Sequence, residues 1–275
     1  MKNPPKVDQF LSYLQIRKSP QTVRAYRVNL ADFFSFTGLS PGEVSPSHIN
    51  QWINSLGHQS RRTLTRKLSA LSSFFTYLER NQLIQHNPAR DVERLKVSRR
   101  SPDFLTIYEI QHIRRNYSSE TVPLFEFLLS SGVRESELCS LNWEKVNLAE
   151  GTALVTGKGD KQRQVLFSAL AASHLQASQQ QFGPVFIARG KRINPGQVRY
   201  RINKLGKLIG RRVYPHLLRH TCATLLLEQG ATLAEVQQLL GHESISSTGL
   251  YVHPTTAFRG KYRLIWESVD KIIEL

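Results

Sequence analysis

The chain has 275 residues, long enough for two ordinary domains with cores of their own. It carries 37 Lys and Arg against 21 Asp and Glu, a formal net charge of +16, and so large an excess points to a polyanionic partner. Two cysteines, Cys139 and Cys222, are too few for a disulfide framework or a thiolate zinc site and are expected to be buried, reduced thiols. No apolar stretch approaches the roughly 20 residues of a membrane span. The opening MKNPPKVDQF has no long apolar run, so no secretory leader and a cytoplasmic location are expected.

Taken in chain order, residues 7–95 show only helical spacing. Ser19-Pro20 is an N-cap followed by proline at the first helical position, and Val23, Tyr26, Leu30, Phe33 and Phe34 recur up to Gly38. Ser45-Pro46 starts a second helix with Ile49, Trp52, Ile53 and Leu56 on one face, ending at Gly57. A third runs through Leu64, Leu68, Leu71, Phe75 and Leu78, and its first turns carry Arg61, Arg62, Arg66 and Lys67. Asn87-Pro88 opens a last short helix. This predicts a bundle of four or five helices over residues 1–97, with aromatic side chains inside and one basic side. Residues 1–100 hold 16 Lys and Arg against 6 Asp and Glu, and residues 101–275 hold 21 against 15, so the first part is the denser cation. Val97–Pro102 has no apolar pattern and several turn formers, which places a basic linker at 98–102 with Arg99 and Arg100 available to phosphates.

Residues 103–275 read as a mixed α/β domain with a small sheet, in a chain that is mainly α. Thr106 caps a helix through Ile107, Ile110 and Ile113; residues 121–131 are apolar and helical; a short helix spans Glu135 to Leu141. Thr152–Thr156 and Arg163–Phe167 are strands joined by Gly157-Lys158-Gly159-Asp160-Lys161, a hairpin with lysines at its tip. Asn194-Pro195 begins a long basic helix to about Gly210 that carries Arg199 and Arg201. Pro215 starts a helix ended by Gly230, Thr232 caps another ended by Gly241, and a short helix is expected around Tyr251. The tail 257–275 is amphipathic through Phe258, Tyr262, Ile265, Trp266, Val269 and Ile272, and packing on its own domain or on a neighbouring subunit are equally open.

Six side chains in this half carry chemistry. His216 and Arg219 share a helix face at i, i+3 and can meet one phosphate. A zinc-protease reading of His216 and His220 needs a glutamate directly after the first histidine, where this chain has Leu217, so no metal site is expected. Arg134 lies in SGVRESEL, and Lys158 sits between two glycines that let the hairpin approach a groove closely, with Lys161 as the alternative. His242 follows Gly241, and Tyr251 lies nine residues on in LLGHESISSTGLYVH, with Tyr262 as the nearest alternative. Arginines hold non-bridging phosphate oxygens, histidine and lysine move protons, and tyrosine supplies an oxygen nucleophile.

This set, in this order, resembles the tyrosine recombinases, the family of phage integrases and of the Xer and Cre recombinases, over nearly the whole chain. The resemblance implies a SAM-like core-binding bundle followed by a tyrosine-recombinase catalytic domain, closing on double-stranded DNA at a specific recombination site. It implies that Tyr251 forms a 3′-phosphotyrosine bond, that Arg134 and Arg219 neutralise the phosphate, that His216 accepts the tyrosine proton and Lys158 protonates the 5′-oxygen, and that His242 hydrogen-bonds the phosphate. One phosphodiester is stored as another, so no cofactor or ATP is called for. Four active sites imply a homotetramer on DNA, and accessory proteins are compatible with it. A type IB topoisomerase would share the chemistry without exchanging partners, and a non-catalytic DNA-binding protein would need only the charge. Integration, excision, inversion and resolution stay open, as does a chromosomal, phage, plasmid or transposon origin.

Overall fold

The computed structural model describes residues 5–93, 103–157, 160–241 and 254–271. The chain divides into two compact units, residues 1–100 and 101–275.

The first unit is all helical. It consists of α1 (Pro5–Gln15), α2 (Pro20–Thr37), α3 (Pro46–Ser55), α4 (Arg61–Arg80) and a single 3₁₀ turn, Pro88–Arg90. The expected caps act as caps. Ser19 Oγ accepts from Thr22 N at 3.3 Å and Gly38 closes α2 in the left-handed region at φ 65°, and Ser60, not picked out from sequence, caps α4 by accepting from Thr63 N at 3.2 Å. The last expected helix is only that 3₁₀ turn, because Asn87 is wholly buried and spends its side chain on tertiary bonds. Its Nδ2 donates to Ser72 O and Thr76 Oγ1, and its Oδ1 accepts from Ala89 N. Phe10, Phe33, Trp52, Phe74 and Phe75 are all at most 1% exposed, with Phe33 and Trp52 edge to face at 5.1 Å. Each such ring contributes about 1.5–3 kcal/mol by leaving water. These five rings are therefore core, whereas Tyr13 and Phe36 are 38% and 49% exposed.

The second unit is mixed. Its elements are α5 (Ile107–Asn116), α6 (Val122–Ser131), α7 (Glu135–Ser140), β1 (Val146–Asn147), β2 (Thr152–Thr156), β3 (Gln162–Leu166), α8 (Ala169–Gln176), β4 (Ile187–Ala188), β5 (Lys191–Arg192), α9 (Pro195–Leu205), α10 (Pro215–Glu228), α11 (Leu233–Leu240) and α12 (Thr256–Lys271). β1, β2 and β3 form an antiparallel sheet in that order, with Thr152 opposite Leu166 and Thr156 opposite Gln162. β4 and β5 form a separate small hairpin. α6 is buried on nearly every side, as an apolar central helix must be, and packs on α8, α10 and β3.

α9 is shorter than expected and ends at Leu205 rather than near Gly210. The cause is at Gly206, where a Cβ would overlap the Arg211 carbonyl; only glycine lets the chain fold back on itself there, closed by Arg211 N donating to Gly206 O. In this chain α12 packs on its own unit. Phe258, Tyr262, Ile265, Trp266 and Val269 are all buried in the core of this same unit. Ile272 lies outside the described residues. The helix is also pinned by charge: Arg114 of α5 forks onto Glu126 of α6 at 2.8 and 2.7 Å and donates to Asp270 at 2.9 Å. No helix among the described residues is long and apolar enough to cross a membrane.

Candidate active site

The turn out of α6 places the first arginine. Gly132 stands at φ 60°, and a Cβ there would come within 2.5 Å of Leu240 Cδ2 and 3.2 Å of Cys222 Sγ. The close approach and the positive φ both require glycine. Two residues on, Arg134 is the N-cap of α7. Its backbone N–H donates to Glu137 Oε2 at 2.7 Å, its Nη1 donates to Glu137 Oε1 at 2.8 Å, and its Nη2 donates to Gly241 O at 2.9 Å. The side chain stays 36% exposed, so it is anchored on one side and open on the other.

Arg219 lies on α10, one turn after His216, and is only 3% exposed. Nη1 donates to Gly132 O at 2.6 Å and Nη2 to Leu240 O at 2.7 Å. Burial, with Arg134 and Arg163 nearby, pushes this guanidinium down to about 10, which leaves it charged at neutral pH. His216 is exposed, and its ring lies edge to face with that of His220, centroids 4.6 Å apart. The His220 imidazole is held below its ordinary value by burial and then by Arg219, so it favours the neutral form.

A third arginine completes the arrangement. Arg163 on β3 donates from Nη1 and Nη2 to the two Glu137 oxygens at 2.7 and 2.8 Å, and from Nε to Leu239 O at 2.9 Å. Three successive carbonyls at the end of α11, those of Leu239, Leu240 and Gly241, thus accept from Arg163, Arg219 and Arg134 in turn. A helix C-terminus leaves its last carbonyls unpaired and carries partial negative charge, so it gathers cations that would otherwise repel one another. Glu137, 1% exposed, is the anion inside this set. Burial works against its charge, but hydrogen bonds and the charge of Arg163, then bonds from Arg134, hold its carboxyl below the usual range. Arg163 was not singled out from sequence, and Glu137 was legible there only as one of two glutamates, with Glu135, able to orient Arg134 or pair with it. The signals were there: a glutamate three residues after an N-cap, and an arginine on the same inward face of a strand as Val165.

Lys158, His242 and Tyr251 lie outside the described residues, as do Arg99 and Arg100. The flanks of the first two are placed: Gly157 N donates to Lys161 O at 2.8 Å at the base of the hairpin tip, and Gly241 caps α11 at φ 66°. Tyr262 is 3% exposed, and its hydroxyl donates to Ser130 O at 2.8 Å and Leu166 O at 3.2 Å. Burial raises its phenol far above the ordinary value, so it is a packing residue rather than a nucleophile. Among the cations expected to contact DNA, Arg61, Arg62, Arg66 and Lys161 are exposed. Lys67 instead turns inward, paired with Asp32 at 2.6 Å above the Trp52 ring. Arg199 faces Glu135 at 3.6 Å and Arg201 faces Glu120 at 3.8 Å, both weak surface pairs. Cys139 and Cys222 are buried and free, and burial pushes the thiols up to about 11 and 12.

Known proteins share this architecture. Residues 103–257 match the Phage integrase family, and residues 7–82 match the Phage integrase N-terminal SAM-like domain. Tyrosine recombinase XerC of Thermodesulfovibrio yellowstonii is 38% identical, over 90% of this chain and 91% of its own. Tyrosine recombinase XerC of Oceanobacillus iheyensis is 36% identical, again over 90% and 91%. The fold is also that of a lambda integrase (75–356) dimer bound to a COC' core site, with a TM-score of 0.73 at 18% identity over 90% of this chain and 97% of that one. A paired-arginine site in a mixed α/β unit behind a SAM-like bundle, with relatives matched over about nine tenths of both chains, places the chain in the phage integrase family, as a tyrosine-type recombinase that carries out site-specific DNA recombination.

Proposed function

We propose that the chain cuts and rejoins duplex DNA at a specific site through a 3′-phosphotyrosine on Tyr251, with Arg134, Lys158, His216, Arg219 and His242 as the other catalytic groups. The observation that carries this is the convergence of Arg134 and Arg219 on adjacent carbonyls, Gly241 O and Leu240 O, with His216 one turn from Arg219. Two fixed guanidiniums suit the two non-bridging oxygens of one phosphate, and donors fixed in advance stabilise the transition state without reorganising. The Tyr251 oxygen attacks phosphorus as its proton passes to His216. The bond from phosphorus to the 5′-oxygen breaks, and Lys158 supplies the proton that the leaving oxygen takes up. The reverse steps join a new 5′-hydroxyl, so two duplexes and four chains make one exchange. Residues 1–97 and 103–275 each contribute cations to the same duplex, and the reaction runs in the cytoplasm where DNA is available.

The test uses a pool of nicked duplexes with randomised arms, in which the strand released by cleavage diffuses away. Wild-type protein is expected to become covalently attached and to enrich one sequence class, and Tyr251→Phe is expected to bind that class without attachment. Attachment by the Phe variant, or none by the wild type, overturns the assignment. Supplying a second marked duplex then shows whether strands exchange or only relax.

A further inference from the structure

The proposed catalytic groups rise from separate pieces of chain: the start of α7, the tip of the β2–β3 hairpin, α10, and the segment after α11. One buried side chain, Arg163, lies between three of them. Its fork fills both Glu137 oxygens, and Glu137 in turn holds Arg134 by backbone and side chain. Its Nε holds Leu239 O, two residues before Gly241. Both glycines that flank the site press on this pair. A Cβ at Gly157 would come within 3.2 Å of Glu137 Oε1 and 3.6 Å of Arg163 Nη1, and one at Gly241 within 2.9 Å of Arg163 Cδ. Gly157 directly precedes Lys158, and Gly241 directly precedes His242.

We propose that Arg163 is a positioning residue for DNA cleavage, fixing Arg134 through Glu137, the base of the hairpin that carries Lys158, and the helix end from which His242 follows, in one frame. This rests on the catalytic reading above. Arg163 is 7% exposed and each of its three nitrogens donates to a protein acceptor, so it acts through other residues and not on the phosphate. Lysine cannot replace it, because a single ammonium cannot fill two carboxylate oxygens and a carbonyl in this planar geometry.

The charge around Glu137 gives a readout that mere stability does not. Facing Glu137 are Arg134 from the start of α7, Arg163 from β3 and, further off, Arg219 from α10. On α7 itself Glu135 turns to Arg199 of α9, and β2, packed against α7, has no ionisable side chain. Without Arg163 the buried carboxyl loses its main partner and takes up a proton nearer neutrality, and the neutral form no longer orients Arg134.

The experiment uses full-length wild type, Arg163→Gln, Arg163→Lys and the double variant Arg163→Gln/Glu137→Gln, with the nicked duplex captured by the wild type as probe. Single-turnover attachment is followed across pH, with duplex affinity and thermal melting alongside. Arg163→Gln is expected to slow attachment about tenfold to a hundredfold, the cost of misplacing reacting groups, with affinity changed less than about threefold. It should gain a second acid limb beyond the one that protonation of the acceptor His216 gives wild type and variants alike, and the double variant should lose that second limb. Arg163→Lys should be slow despite its charge. A folded Arg163→Gln with wild-type rate and pH profile, or with rate and affinity falling together, overturns the proposal. If Arg163→Gln does not fold, Arg163→Lys decides in the same way: slow attachment at retained affinity supports the role, and wild-type rate ends it. A wild type that attaches to no duplex in the pool overturns the catalytic reading itself, and the positioning role with it, an outcome distinct from an active wild type with an indifferent Arg163 variant.

Discussion

In the first unit the buried side chains are apolar, and Asn87 is the buried polar exception among the described residues, whereas the second unit buries Arg114, Glu126, Glu137, Arg163 and Arg219. The first unit keeps Arg61, Arg62 and Arg66 on the outside, in the first turns of α4, and turns only Lys67 of that cluster inward. Exposed cations add affinity for a polyanion and demand little of the fold. Buried ones must be paired with carboxylates or carbonyls, and that requirement fixes geometry, though Arg114 Nη1 is left without a partner among the described residues. Attraction can thus be left to a surface, but the placing of two guanidiniums around one phosphate needs an interior.

The comparison is tested most severely at a buried pair far from the proposed chemistry. Arg114→Ala leaves Glu126 and Asp270 without their cation, and is expected to destabilise the protein by about 3–5 kcal/mol in denaturant unfolding. Duplex affinity per folded molecule should not change. A loss below about 1 kcal/mol would mean that the second unit does not depend on its interior charges.

Next in size are the two site arginines. Arg134→Ala and Arg219→Ala are each expected to slow covalent attachment about a hundred- to a thousandfold, or ~3–4 kcal/mol, with much smaller losses of affinity. They should differ in melting temperature. Arg219 holds Gly132 O and Leu240 O in the core, so its removal should lower melting, while the half-open Arg134 should be close to silent. Equal losses of rate and affinity would make both ordinary phosphate anchors.

Acid should act on the second unit through Asp270. Burial raises its carboxyl to about 6, with Arg114 pulling the other way. A folded value above the unfolded one means that the native state binds the extra proton. Wild type should therefore gain stability over Asp270→Asn as pH falls from about 6 to about 4, and lose it again on the way up, by at most about 3 kcal/mol. Melting curves of the two proteins across that window give the difference directly, and parallel curves would refute it.

The smallest effects belong to the first unit. Arg61→Ala, Arg62→Ala and Arg66→Ala should each reduce the slope of log affinity against log salt by about 0.9, with unchanged melting. Lys67→Ala should leave the slope nearly unchanged, because Lys67 is already paired with Asp32. A full step at Lys67 would show that the pair opens on DNA.

Much of the helical frame was legible because local chemistry wrote it: Ser19, Thr106 and Thr232 each accept from a backbone N–H at the helix start they announced. β1, β4 and β5 were not legible, since two-residue strands have no periodicity to read. Arg134, His216 and Arg219 could be picked out by motif, yet what joins them could not. The bonds from Arg163, Arg219 and Arg134 to the end of α11 span 76, 21 and 107 residues, and no local pattern encodes separations of that kind. Arg163 looked like one more cation of a basic chain until the fold turned it inward.

α12 has a consequence for how this protein can be taken apart. It is a separate wedge of sequence that fills a seat built by the rest of the unit: five apolar side chains, a Tyr262 hydroxyl on two carbonyls, and Asp270 on Arg114. All of those contacts are made by side chains that a free peptide would also possess. A chain stopped after Thr255 and a synthetic peptide of residues 254–275 are therefore expected to form a complementation pair. Recovery of attachment on mixing would turn this recombinase into a two-part enzyme whose activity is switched on by adding its own last helix.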